Sequence, residues 1–466
     1  MKRREDDLTD EEFLHEFKAT LALHQDGDLK GAEAGYKALI QARPAVPSLW
    51  SNLALIYRKR GHAKAAVAMN LRAMELHANS NDDDGYARTT RNLFNVMRDA
   101  FRGDEGLTMD VMDPSNRLQV AGMTDFWRAR ALLDQSRVRE SILFFKTAAQ
   151  SVDNIHDMNL DLAMALLKIG EYREGFEVFE SRWHTGHMDQ PPTSGTRWNG
   201  EAIDGKRVAL IGEQGLGDMI FMSRFLPQFV AQRPAHLTVS IQKALCRLFA
   251  GCPGVDSVTD KKKVPNPDMD TWLVGFDLAR HLLAENGTFP PPVPFQVPQE
   301  ASERAAEFVA PYLDRFKVGI VWRTSRNNKI ADQKTVDFRH FFRLCEIPKV
   351  QLFSLQKDPS DNDIVANGAD LLVIDAGSSD ADLADTAALI QKLNLVITVD
   401  TAVAHLAGTM GTPVWLLTPE PAYWYWYGVG EHTPFYPSMR VVRQSRPGVW
   451  DDVFDRIVND LKRVLQ

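Results

Sequence analysis

The chain has 466 residues, too many for one ordinary hydrophobic core, so two or three domains are expected. Hydrophobic residues at 44% and charged residues at 25% are proportions of a soluble globular protein. A net charge of -8 and a pI near 5.9 argue against a general nucleic-acid binder and against attachment to a membrane surface through basic residues.

In chain order, Met1-Lys2-Arg3-Arg4 runs straight into EDDLTDEEF with no apolar stretch, so no secretory signal is read there. No run of about 18 apolar residues follows that could span a membrane. Cys246, Cys252 and Cys345 suggest neither a disulfide framework nor a metal-ligand pattern, and a reduced cytoplasm is the expected location.

The first 185 residues have helical periodicity and no convincing strand. Gly27, Ala32, Tyr36 and Pro44 are followed 34 residues later by Gly61, Ala66, Asn70 and Ala78, and the second copy adds Trp50, Leu53, Tyr57 and Ala73. That period, with small residues where helices cross and aromatics between them, looks like tetratricopeptide repeats. A degenerate copy returns as Gly170, Gly175 and Phe179, while roughly 80–155 is helical without a clear match. An ordinary helical bundle is the plainer alternative.

From about residue 205 short apolar runs alternate with amphipathic helices. The runs are RVALI (207–211), HLTVSI (236–241), KVGIVW (317–322), VQLFSL (350–355), LLVI (371–374), LVITV (395–399) and PVWLL (413–417). Continuous apolar strands separated by helices predict parallel sheets buried on both faces. The proline-rich FPPPVPFQVP (289–298) reads as a linker between two doubly wound domains, and a last helix over 449–465 could pack on either.

Ligands in such sheets bind beyond the carboxyl ends of the strands, where helix N-termini offer free N–H groups. Four ends here are polar. LVITV stops at Asp400 and Thr401, and His405 lies one helical turn further on the same face, with Ala402, Ala404, Ala407 and Gly408 leaving room. This set suits an anionic phosphate, although Asp400 or Thr401 could be only a helix cap and His405 a packed side chain. RVALI runs into Gly212–Asp218, where Gly215 and Gly217 permit close approach. Asp218 could cap the next helix or act as a general base. The third end offers Arg323, Thr324, Ser325, Arg326, Asn327 and Asn328, then Lys334 and Thr335, either as diphosphate ligands or as a solvated loop. The fourth offers Gln356 and Lys357. Asp380, Asp382 and Asp385 open the helix before Leu395, where acids favour the dipole, so capping is expected of them rather than metal binding.

GEQGLGDMIFMSRFLP, VWRTSRNN, LFSLQKDP, LADTAALIQKLNLVITVDTAVAHLAGTMGTPVWLL and FYPSMRVVRQ together resemble bacterial proteins in which tetratricopeptide repeats precede a GT-B glycosyltransferase. The catalytic part is similar to the heptosyltransferases of glycosyltransferase family 9, and more distantly to repeat-containing O-GlcNAc transferases. The resemblance implies a helical repeat domain over 1–185, a linker at 186–204, an acceptor-side α/β domain at 205–296 and a nucleotide-sugar-binding α/β domain at 297–466. It implies metal-independent, inverting transfer with no cofactor beyond the nucleotide-sugar donor. A protein acceptor on the repeats is then expected, as in proteins of this layout that glycosylate flagellin. Matched onto this sequence, Asp218 stands at the position of the proposed base. Asp400, Thr401, Ala402 and His405 match the donor-phosphate segment, and Arg323, Ser325 and Gln356 fall in donor-facing loops. One departure concerns Tyr423–Tyr427: relatives often carry Trp-Arg-Trp there, and Tyr425 takes the arginine's place. These aromatics could stack on a ligand or form a packed corner. A catalytically retired scaffold serving assembly is the alternative function.

Overall fold

The computed structural model describes residues 8–466 except 83, 87, 90–91, 94, 97–122, 135, 150–155, 186–193, 263–268, 325–333, 358–362, 421, 429 and 447. The chain forms two compact units, Met1–Met158 and Asn159–Gln466. Among the described residues no helix is long and apolar enough to cross a membrane.

The first unit begins with helices Asp10–Gln25, Leu29–Ala42, Pro47–Lys59 and Ala63–Asn79, each packed on the next. Their ends follow local chemistry. Thr9 and Glu12 form a reciprocal capping box, the Asp28 carboxylate accepts the Gly31 N–H at 3.0 Å, and Pro47 opens the third helix. Gly27 and Gly61, 34 positions apart, both sit just past a helix end with φ of +88° and +75°, a conformation that favours glycine. The other paired positions also share an environment: Ala32 and Ala66 are buried, as are Tyr36 and Asn70. Further along, Met123–Asp134 packs on Val138–Ala149, with the Phe126 ring 5.9 Å from Phe145. Much of the poorly matched stretch 80–155 lies outside the described residues.

The second unit contains two sheets, parallel throughout. One comprises β1 (Thr196–Arg197), β2 (Arg207–Ile211), β3 (His236–Ile241), β4 (Ser257–Asp260) and β5 (Thr271–Val274), in the order β1-β5-β2-β3-β4. The other comprises β6 (Phe316–Val321), β7 (Val350–Ser354), β8 (Val373–Asp375), β9 (Leu395–Val399), β10 (Val414–Thr418) and β11 (Met439–Arg443), in the order β11-β10-β9-β6-β7-β8. The apolar runs found in the sequence recur as β2, β3 and β9 residue for residue. Those at 317–322, 350–355 and 413–417 recur within one residue, and the run at 371–374 is shortened because Leu371 and Leu372 remain exposed. β1, β4, β5 and β11 were not picked out in the sequence, although TWLV of β5 is a short run buried throughout. They have two to five residues, and β11, at a sheet edge, has arginines at two of its five positions.

In each sheet the chain first builds outward on one side and then returns to the other side of its first long strand. The reversal lies between β2 and β5 in one sheet and between β6 and β9 in the other. Such crevices are where doubly wound sheets leave room for a ligand. Residues 285–298 between the sheets contain no helix or strand, although Phe289 and Phe295 anchor the segment in apolar surroundings. With their helices the two sheets form a first and a second lobe, and the C-terminal helix Asp451–Val464 packs on the second, with Phe454 against Phe341.

Helices grouped in the sequence with the N-terminal array belong to this second unit. Tyr172–Phe179 and the turn Glu180–His184 join the core of the first sheet through Phe176 and Phe179. A buried ion network fixes them there. Arg182 donates to Glu213 at 2.9 and 3.2 Å and to Glu180 at 2.6 Å, while Arg197 joins Glu180 to Asp277. Thr196–Arg197, within the segment expected to be linker, is strand β1 of the first sheet.

Candidate active site

The carboxyl ends of β2, β6, β7 and β9, with the segment after β10, open on one cavity of about 970 Å³. Of the residues singled out in the sequence, Asp218, Arg323, Gln356, Asp400, Thr401, Ala402 and His405 all line it. Ser325 lies outside the described residues. Lys334, Lys357, Tyr423 and Tyr425 complete the polar wall.

Asp218 stands in the first turn of helix Leu216–Met222. Its Oδ2 accepts the Gly215 N–H at 2.9 Å, so it does cap the helix, and its Oδ1 accepts the Tyr425 hydroxyl at 2.7 Å. Burial raises its pKa, as does the nearby Asp400 charge, while the Tyr425 and Gly215 hydrogen bonds oppose that rise. The helix can come close to the opposite lobe because residue 217 is glycine. A Cβ there would lie 2.7 Å from Cδ2 of His405 and 3.5 Å from Cα of Ala402.

Asp400 does not cap the following helix. Its carboxylate pairs with Lys334 and accepts the Trp426 indole N–H at 2.7 Å, with Asp400 and Lys334 both buried. Thr401 occupies the N-cap position of helix Ala402–Thr409 without a capping bond, and its hydroxyl lies 3.3 Å from that of Thr398. The first turn of this helix therefore has no side-chain cap. His405 departs from the cationic partner that a phosphate site would suggest. It is 3% exposed, Nδ1 is 3.0 Å from the Tyr436 hydroxyl, and burial lowers its pKa to about 3 against the pull of Asp400. The ring is neutral at ordinary pH and can act as a hydrogen-bond donor or a packed wall.

The remaining positive charge comes from the second lobe. Arg323 follows β6, its backbone N–H donates to Gln356 Oε1 at 3.2 Å, and its guanidinium is 3.4 Å from Asp363. Lys357 donates to the carbonyls of Asp380 and Asp382. The acidic cluster is otherwise engaged: Asp382 caps helix Leu383–Ile390, Arg247 bonds Asp382 and Asp385, and Arg304 bonds Asp385 at 2.6 Å.

The aromatic segment divides into two parts. Trp424, Tyr425 and Trp426 are each 2% exposed and form a packed corner, whereas Tyr423 is 38% exposed and faces the cavity. Phe221, Phe289, Phe435 and Tyr172 pack around Trp424 and one another, tying both lobes to the preceding helical segment. Sequence reasoning did not find the roles of Lys334, Trp426 and Tyr436. Lys334 and Trp426 lie in stretches the sequence marked out, but only the fold brings each of the three to Asp400 or His405.

Residues 258–417 match the model of glycosyltransferase family 9 (heptosyltransferase). The C-terminal part of the chain carries a glycosyltransferase family 9 domain. The matched segment runs from β4 to β10, so it includes Arg323, Gln356 and the Asp400–His405 turn of the family 9 domain, whereas Asp218 precedes it. Protein FlbA of Caulobacter vibrioides is 28% identical over 365 residues, which cover 72% of this chain and 60% of FlbA. The chain thus spans about 60% of the length of the curated relative it matches. Among solved structures, a family 9 glycosyl transferase from Veillonella parvula is 16% identical with a TM-score of 0.41, covering 57% of this chain and 91% of that one. The ADP-heptose lipopolysaccharide heptosyltransferase II of E. coli is 13% identical with a TM-score of 0.43, covering 56% and 98%.

Proposed function

We propose that the protein transfers a sugar from a nucleotide-sugar donor to a hydroxyl of a protein acceptor, and that the N-terminal helices are a tetratricopeptide-like array that holds this acceptor. The observation carrying the reading is a cavity in which a half-buried carboxylate from the helix after β2 faces the cationic strand ends of the other sheet. Asp218 takes the proton of the acceptor hydroxyl, its raised pKa bringing it nearer the range of an effective base. As the sugar departs, negative charge gathers on the donor phosphate. Arg323, Lys334 and the N–H groups opening helix Ala402–Thr409 stabilise that charge more in the transition state than in the bound donor. His405 contributes a neutral hydrogen bond. The reaction runs without a metal and inverts the anomeric centre, because the base and the leaving phosphate occupy opposite walls. A flagellin-like acceptor, as the resemblance of the repeat-plus-transferase layout implies, and a cytoplasmic location complete the proposal.

A second reading, a catalytically retired scaffold, draws on Tyr425, which stands where the resemblance places an arginine and occupies one oxygen of Asp218. Thermal unfolding against UDP, GDP, ADP, CMP and their sugar conjugates, in the parent and in Asp218→Asn, separates the two. A donor at 100 times its Kd adds about 2.7 kcal/mol in both proteins, and transfer is seen only in the parent. Stabilisation by none of the nucleotides would overturn the transferase reading.

A further inference from the structure

We propose that Tyr425 is a positioning residue for Asp218: its hydroxyl, reaching across the cleft from the second lobe, fixes the carboxylate so that its remaining lone pairs face the acceptor. This rests on the transferase reading of the cavity.

The carboxylate is held at two points. Tyr425 Oη donates to Oδ1 at 2.7 Å and the Gly215 N–H donates to Oδ2 at 2.9 Å, so the group cannot rotate without breaking one bond. An ionised carboxylate offers about four acceptor sites, so two remain after both bonds are made. Tyr425 is itself immobile. Its ring lies 3.9 Å from Trp424, 4.6 Å from Phe221 and 4.7 Å from His405 between centroids. Burial raises its pKa well above the ordinary value, so the phenol stays protonated and donates at any physiological pH. A cation at position 425 would instead tie the carboxylate into an ion pair and weaken it as a base.

The groups that face Asp218 come from several elements. Asp400 and Lys334 belong to the second lobe, Tyr423 and Tyr425 to the segment after β10, Tyr436 to the turn before β11, and the neutral His405 to helix Ala402–Thr409. Among them, Tyr425 is the side chain whose hydrogen bond lowers the pKa of Asp218.

The test is Tyr425→Phe in the full chain, which keeps the packed ring and removes only the hydroxyl. The Asp218 carboxyl carbon is followed by 13C NMR in aspartate-labelled protein, its resonance assigned by its loss in Asp218→Asn. The expected result is an Asp218 midpoint at higher pH in Tyr425→Phe. With it, the acid limb of kcat moves to higher pH, kcat at neutral pH falls about tenfold and the donor KM is unchanged. Thermal unfolding confirms that the variant is folded. A titration identical in parent and variant would overturn the proposal, even if the parent transfers sugar. A moved midpoint in a protein that transfers no sugar would uphold the Tyr425 contact and sink the transferase reading instead.

Discussion

Gly217→Ala probes the closest approach of the two lobes. The added Cβ would sit 2.7 Å from Cδ2 and 3.4 Å from Nε2 of His405. Carbon atoms in comfortable contact are about 3.5–4.0 Å apart, so one helix must retreat by about 0.8 Å or more. The His405 ring cannot yield, since Tyr425, Trp426 and Tyr436 surround it and Tyr436 bonds its Nδ1. Overpacking of this kind costs about 1–3 kcal/mol. Alanine recovers about 0.8–1 kcal/mol of helix propensity over glycine, leaving a net loss of about 1 kcal/mol. The activity should suffer far more than the stability. Asp218 is the next residue, its 2.7 Å bond to Tyr425 spans the widened gap, and a displacement near 1 Å in a reacting constellation costs about 100-fold. Initial rates of sugar transfer and thermal unfolding, measured together, should show a fall of about 100-fold in kcat/KM with a Tm lowered by only about 2–4 °C. Gly411→Ala serves as the control, because Gly411 has φ +77° and no neighbour that a Cβ would meet. It should lower Tm by a similar amount, from backbone strain of about 1 kcal/mol, and leave the rate unchanged. A Gly217→Ala enzyme working within twofold of the parent would refute the idea that lobe spacing governs the site.

Three further outcomes follow from the buried groups. Lys334→Met leaves the Asp400 carboxylate buried without its cation and should destabilise by about 3–5 kcal/mol, read by urea unfolding, with Lys334→Met/Asp400→Asn recovering part of the loss. His405 has a folded pKa of about 3 against about 6.5 unfolded, so the unfolded chain binds the extra proton between those values. Stability is therefore full above pH 6.5 and declines as pH falls toward 3, by about 1.4 kcal/mol at pH 5.5. His405→Gln should lose this part of the slope, and an unaltered slope would count against the buried neutral ring. A chain starting at residue 156 should unfold cooperatively by calorimetry. One starting at residue 186 should lose solubility, because it lacks Phe176, Phe179 and the Arg182 partner of the buried Glu213.

The sequence by itself determined the elements whose signal is local. β2, β3 and β9 are unbroken apolar runs because both faces of a parallel strand are buried, and Gly27 and Gly61 mark helix ends because a left-handed residue needs no Cβ there. It also placed Asp218, Arg323, Gln356, Asp400, Thr401, Ala402 and His405 at strand ends, and the fold gathers them in one cavity because the end of each such strand opens toward the crevice. What the charges do there was decided only by tertiary contacts. Asp400 could have capped a helix, but Lys334, 66 positions earlier, and Trp426, 26 later, take its oxygens instead. His405 is neutral because aromatic rings from distant segments exclude water around it. Tyr172–His184 has the helical period of the array before it, yet Arg182 and Phe176 find their partners in Glu213 and Phe276, on the segments that leave β2 and β5 of the first sheet. Periodicity reports that a face is buried, not against what; the partner of a buried charge or ring is fixed only when residues far apart in the chain are brought together.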